Sequence, residues 1–416
     1  MAVIIAGAGI GGLSLALSLH QVGIPCRIYE AVPSLRALGV GINIQPHAVR
    51  ELSELGLLED LDALGIRTRE VAYLSSHGKL IWSEPRGVLA GYRWPQVSVH
   101  RGELQMLLYR AVVERLGEEA IVLGQAVIDW ENHADAISVS VASHGDAAHT
   151  ETVDGELLIC ADGIHSSARA RLYPDEGPPR WGGTIMWRGT TRGPRYMSGA
   201  TMAMAGCKAR KFVCYPITEQ GDECLINWIA DLGFPSDYAW NRESWNRQGA
   251  LDDFLPRFAD WHFDWLDIPE IITGADAVYE YPMVDRDPVA NWTFGRMTLL
   301  GDSAHAMYPI GSNGASQAIL DARVLTRELL AHGATPAALQ AYEDERRPAT
   351  AKIVLANRGD GPDKVLDIVE AKAPEGFDHI HDVLSQHELE SIAGSYKQLA
   401  GMDVDGLNKR HSIVNV

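Results

Sequence analysis

The sequence predicts an α/β fold in which a Rossmann-like, parallel-sheet domain is interrupted by an inserted, mainly antiparallel β-sheet domain and followed by C-terminal helices. Three observations carry this. Residues 2–6, AVIIA, and 26–30, CRIYE, are short apolar runs on either side of a helical stretch, 11–22, which makes a βαβ unit. After about residue 178 the pattern changes to strand-like runs at 184–190, 199–205, 211–215, 224–230 and 277–283. The chain then returns to a buried strand, 297–301, and a long helix ending near 332.

Taken in order, Gly23 stops the first helix, and 31–46 is a loop rich in Gly and Pro. Helices are expected around 47–55 and from about 102 to 116. Residues 136–142, AISVSVA, alternate as a half-exposed strand does, and the apolar run 156–161 ends at Asp162-Gly163. Between 230 and 277 lies a partly helical stretch holding Trp240, Trp245, Phe254, Phe258, Trp261, Phe263 and Trp265. The expected organisation is 1–178 as the first part of the nucleotide-binding domain and 179–290 as the inserted sheet. The nucleotide-binding domain returns over 291–360, and 361–416 is a helical segment with a polar tail.

Composition narrows the function. The chain has 416 residues, 46% hydrophobic and 22% charged, which suits a large folded core rather than a disordered chain. Its formal net charge of -19 opposes a phosphate backbone and an anionic membrane surface, so neither nucleic acid nor membrane is an expected partner. The five cysteines form no CxxC pair, as expected of free thiols in a reducing cytoplasm. His165 and His305 belong to separate motifs, and no metal site is expected.

Three motifs carry chemistry. The first is Gly7-x-Gly9-x-x-Gly12, with Gly11 beside the last glycine, set between strand and helix. Such a turn brings backbone N–H groups and a helix N-terminus to a pyrophosphate. Glu30 ends the second strand 18 residues after Gly12, where a carboxylate meets a ribose diol. The second is Gly301-Asp302 directly after a buried strand, running into a Pro- and Gly-rich turn. The third is Asp162-Gly163 after another buried run, with Ser166 and Arg169 close behind.

Together, GAGIGG, CADGIHSSAR and GDSAHAMYPIGSNGAS resemble, in order and spacing, the single-component FAD-dependent aromatic hydroxylases typified by para-hydroxybenzoate hydroxylase. The resemblance covers roughly residues 1–360. It implies non-covalently bound FAD, NADH or NADPH as a transient reductant, and O₂ as co-substrate. The implied reaction is hydroxylation, with or without decarboxylation, of an aromatic or N-heteroaromatic substrate such as a phenazine by a flavin C4a-hydroperoxide. It implies that Gly7, Gly9, Gly11 and Gly12 hold the pyrophosphate and Glu30 the adenosine ribose. Arg36 and Arg101 then belong to the FAD site, Asp302 with Gly301 meets the ribityl chain or pyrophosphate, and Asp162 with Gly163 serves FAD and nicotinamide. Gly39, Val40 and Gly41, with Gly311, Asn313, Gly314 and Ala315, border the isoalloxazine ring. The turn reads GSNGAS over 311–316, where the family often carries Gln or Lys and then Asn.

The substrate wall is expected on the inserted sheet. Met202 and Met204 alternate onto one face, as do Phe212 and Cys214, and either pair is read equally as pocket wall or as core. Trp187 and Arg188 form a further substrate pair, with Arg188 able to meet a carboxylate or to make a structural ion pair. His305, Tyr308 and Pro309 are the candidates for contact with the substrate near the flavin edge. Competing readings are a flavin oxidase or dehydrogenase that inserts no oxygen, and a non-enzymatic FAD-binding module. The oligomeric state expected is monomer or homodimer.

Overall fold

The apolar strand Val3–Ala6 is buried along its whole length because parallel strands flank it on both edges. In the computed structural model the first sheet runs, in spatial order, Thr293–Phe294, Met297–Leu299, Leu157–Cys160, Val3–Ala6, Cys26–Glu30 and Ile121–Leu123. The structure describes all residues except 144–145, 236, 239–246, 360, 362, 400–402 and 416, and describes the backbone alone at 146–149 and 393–399. Trp240 and Trp245 therefore lie outside the described residues.

This sheet order decides where chemistry can happen. Ala6, Glu30, Cys160 and Leu299 all end strands at the same carboxyl edge, so the three glycine-containing motifs emerge side by side. Helices Ile10–Gln21 and Gly314–His332 cover the sheet with apolar faces that include Leu13, Leu17, Ile319 and Leu325.

The second sheet has eight strands in the order Arg247–Gln248, Val278–Asp285, Arg180–Pro194, Glu223–Gly233, Arg210–Gln220, Thr201–Cys207, Glu70–Leu74 and Leu80–Pro85. Its last two strands come from far upstream of residue 178, and Glu70–Leu74 pairs parallel with Thr201–Cys207. Both faces are covered, which explains why its strands read as continuous apolar runs. One face packs on Phe254, Phe258, Trp261, Ile268 and Ile272. The other meets the helix Lys364–Lys372 through Val365, Leu366 and Val369, packed on Tyr73, Met204, Val213 and Tyr215.

The C-terminal tail, expected to be polar, is anchored instead. Ile413 and Val414 are buried in the core of the first domain, and the Leu407 carbonyl accepts a hydrogen bond from Arg50 Nη1 at 3.3 Å.

Candidate functional site

The Gly-rich turn is built by close approach. A Cβ on Gly12 would lie 2.1 Å from the Gly7 carbonyl oxygen, and one on Gly7, at φ +102°, would lie 2.5 Å from the Ala161 carbonyl oxygen. Gly7 and Gly12 therefore stack the turn on the Asp162-Gly163 strand end. Gly11, read as a cofactor contact, faces inward instead: its Cβ would stand 2.7 Å from Leu300 Cδ2, so it is a packing position. Gly9 is different, with nothing within 4 Å of its Cβ position. No side chain caps the helix that begins at Ile10, so the helix presents free N–H groups to that open space.

Glu30 is fixed by its neighbours. Its carboxylate accepts hydrogen bonds from the Ala8 N–H at 2.7 Å and the Val32 N–H at 2.9 Å, which hold it beside the turn. Gln105 donates to the Ala8 carbonyl at 2.8 Å. Asp162 Oδ1 is buried and without a partner, and burial pushes the Asp162 carboxyl up. Gly163, at φ +81°, has open space beside it.

The Gly301-Asp302 segment rests on a buried ion network. Gly301 has φ +67° and donates its N–H to Asp321 Oδ2 at 3.1 Å. The same carboxylate takes His305 Nε2 at 2.5 Å and Arg346 Nε at 2.7 Å. Arg169, buried behind the Asp162 turn, donates to the Ser303 and Ala304 carbonyls at 3.1 and 2.8 Å and so ties the two motifs together. Asp302 itself is exposed on the outer side of this frame. His305 is thus committed to Asp321, only 2% exposed, and not presented to substrate as the sequence reading had it.

The turn 311–316 and the segment 39–41 face each other across the site. Gly311 and Ser312 have positive φ, and no side chain caps the helix starting at Gly314. Asn313 is buried with Nδ2 unpartnered, next to Gly314 and Ala315. Gln45 stitches the two segments, its N–H reaching Ser316 Oγ at 3.1 Å and its amide the Gly311 carbonyl at 3.3 Å. Gly39 has φ +108°, and the Val40 carbonyl accepts from the Arg101 N–H at 2.9 Å. The Gly41 N–H donates to Asn227 Oδ1 at 2.6 Å. Arg36 and Arg101 are exposed. Two uncapped helix N-termini, open space over Gly9 and Gly163, and the unpartnered Asp162 Oδ1 and Asn313 Nδ2 fit an elongated dinucleotide carrying a polar ring system.

The substrate side is the sheet face that looks toward this loop. Strand alternation and register place Asn227, Ile229 and Asp231 on it, with Arg188 opposite Ile229 and Met186 opposite Asp231. Met204 and Val213 continue the Ile229 row. Arg188, Ile229, Tyr279 and Tyr281 are half-buried on this face, which leaves room for a cavity above them. Its other wall is Tyr308 and Ile310, packed with Met186 and Met283. The Arg188 guanidinium donates from Nη2 to the Gly41 carbonyl at 2.9 Å and stands 5.9 Å from the Tyr281 ring centroid. Its Nε is buried without a partner.

The structure separates the expected wall residues. Met202 and Met204 lie on the cavity-side face, beneath the helix Lys364–Lys372. Phe212 and Cys214 do not: they pair with Ala205 and Ala203, so they point to the far face, where Phe212 packs on Trp228 at 6.2 Å. The reason is parity. In this hairpin an even residue pairs with an odd one, so the two even-numbered sets fall on opposite faces. Trp187 also faces away, stacked on Phe254 at 5.0 Å. Tyr308 is buried, its hydroxyl donating to the Arg180 carbonyl at 3.5 Å, and burial pushes its phenol up to about 12. Pro309 is exposed, with its carbonyl accepting from the Ser312 N–H at 3.0 Å. Asn227, Tyr281 and Asp231 were missed. Asp231 stands directly opposite Lys211, a pairing that the register makes and no local sequence signal announces.

Among the described residues no group of three His, Cys, Asp or Glu side chains could hold a metal ion, and no helix is long and apolar enough to cross a membrane.

Comparison with known proteins agrees with this geometry. The family described as "FAD binding domain" matches residues 1–182 and 278–357. The phenazine 1,6-dicarboxylic acid hydroxylase PhzS of Lysobacter antibioticus is 46% identical over 86% of this chain and 89% of its own length. The aurachin C monooxygenase/isomerase of Stigmatella aurantiaca is 32% identical over 83% of this chain and 85% of its own. A crystal structure of a substituted Klebsiella pneumoniae HpxO complexed with FAD superposes with TM-score 0.74 at 25% identity, covering 97% of this chain and 99% of that one. The chain belongs to the FAD binding domain family, and its class is that of the FAD-dependent aromatic hydroxylases. Its cofactor is FAD, with NAD(P)H and O₂ as the other reactants.

Proposed function

We propose that this chain hydroxylates a carboxylated aromatic or N-heteroaromatic ring of the phenazine kind, with or without loss of the carboxyl group. The observation that carries the reading is Arg188. It is a half-buried cation on the cavity face, beside an aromatic ring, with an unpartnered Nε and a bond to the Gly41 carbonyl at the loop that borders the flavin position. A guanidinium held this way reads a carboxylate by charge-assisted hydrogen bonds, and Tyr281 offers a flat face to the ring. The phenazine name of the 46% identical relative supports the same substrate class.

When bound, FAD would supply the redox chemistry that activates O₂. The chain's own residues do the rest. The N–H groups at Ile10 and the open shelf at Gly9 hold the pyrophosphate, Glu30 the ribose, and Asp302 the ribityl side. The segments 39–41 and 311–315 border the ring. Met186, Ile229, Met283 and Ile310 keep the reacting space apolar and dry. Free thiols and a formal charge of -19 support a cytoplasmic enzyme without nucleic acid or membrane partners.

Arg188→Met is the test. It is expected to weaken phenazine-1-carboxylate by about tenfold to a hundredfold, as loss of a charged hydrogen-bond partner does. FAD content and the affinity for unsubstituted phenazine are expected to hold. Titration against the flavin absorbance reads both. Equal weakening of the acid and the unsubstituted ring would remove Arg188 from substrate recognition.

A further inference from the structure

Beyond Arg188, the cavity face carries a second charged group with an unfilled valence. Asp231 is 4% exposed, with Oδ1 buried and unpartnered. Its other oxygen lies 3.5 Å from Lys211 Nζ, but that ammonium is held more closely by Asp363, at 2.6 Å. Two carboxylates thus share one cation, and Asp231 receives the smaller share. A buried carboxylate oxygen without a donor costs free energy unless something supplies one.

Position says what that is. Asp231 is two residues along the strand from Ile229, which stands opposite Arg188, and is itself opposite Met186 in the apolar lining. Asn227, which holds Gly41 at the flavin loop, is four residues back on the same face, about 13 Å away at the rise of a strand. Arg188 and Asp231 therefore stand diagonally, one cation and one anion, with the anion farther from the flavin loop.

We infer that Asp231 is a specificity residue whose free Oδ1 accepts a hydrogen bond from an O–H or N–H on the distal edge of the ring and repels a carboxylate placed there. The substrate is then an aromatic acid with one carboxylate at Arg188 and a donor, not a second carboxylate, at the far end. This rests on the reading of Arg188 as the carboxylate site.

The test titrates phenazine-1-carboxylate and phenazine-1,6-dicarboxylate into the FAD-loaded protein, read by the flavin absorbance. Wild type is expected to hold the monoacid about tenfold or more tighter than the diacid, as an uncompensated like charge dictates. Asp231→Asn keeps the shape and is expected to collapse that ratio to about twofold or less, while Glu59→Gln, which removes one exposed charge away from Lys211, preserves it. Equal affinity in wild type overturns the inference with no variant needed. So does an unchanged ratio in Asp231→Asn, or an equal collapse in Glu59→Gln, which would make the effect one of overall charge. If neither acid perturbs the flavin in wild type, the phenazine-acid reading itself falls, and this inference with it.

Discussion

Gly12→Ala is expected to leave the protein folded and to weaken FAD by about a hundredfold, the upper end of the ~1–3 kcal/mol that overpacking costs. The added methyl would sit 2.1 Å from the Gly7 carbonyl oxygen, inside the same turn that offers its N–H groups to the ligand. Relief requires the turn to open, and opening it moves Gly9 and the helix N-terminus at Ile10 together. Gly9→Ala is the control. Its Cβ meets no protein atom within 4 Å, so any loss there comes from the ligand alone. Flavin fluorescence against FAD concentration measures both. Unchanged FAD affinity in Gly12→Ala would mean that the turn does not hold the pyrophosphate.

Asp321→Ala is expected to cost about 3–5 kcal/mol of stability, because it strands two buried partners. His305 and Arg346 both lose their carboxylate, and the Gly301 N–H loses its acceptor. The pH dependence follows the same group. Burial alone would push the Asp321 carboxyl up, but the His305 and Arg346 charges and hydrogen bonds outweigh it and hold it at about 2, below the ordinary 3.8. A carboxyl depressed in the folded state contributes stability that is complete above its ordinary value. That stability is lost as pH falls from about 4 to about 2. Urea midpoints across this range should fall more steeply in wild type than in Asp321→Ala. Parallel pH profiles would show that the network is not the acid-sensitive element.

How much of this was legible depended on how local each cause was. The βα turn was readable because its glycines answer contacts made within a few residues, Gly12 against Gly7 above all. Glu30 was readable because a strand of fixed length follows a helix of fixed length. His305 was misread because its partner, Asp321, is 16 residues away on the next helix, and the neighbours of His305 in sequence say nothing about it. Phe212 and Cys214, read equally as wall or core, fall in the core, and what decides this is different. Alternation within each strand was right, but the hairpin's pairing set which parity faced the cavity, and the turn between Cys207 and Arg210 decided that. The strand Glu70–Leu74 joins the large sheet by pairing with Thr201–Cys207, more than a hundred residues away, a distance at which periodicity carries no information, and Leu80–Pro85 follows it in as a local hairpin. Nothing local in the sequence marks Asp231 or Lys211, which only the register sets opposite each other.

The central claim is oxygen insertion into a carboxylated aromatic ring. It is tested most directly by turnover of the FAD-loaded protein with NADH or NADPH and phenazine-1-carboxylate under ¹⁸O₂, with the product mass read alongside nicotinamide oxidation. The account predicts ring-stimulated nicotinamide oxidation and a product carrying one ¹⁸O atom, with the carboxyl group kept or lost. Stimulated oxidation that yields only hydrogen peroxide or a dehydrogenated ring, with no ¹⁸O in any organic product, would contradict it.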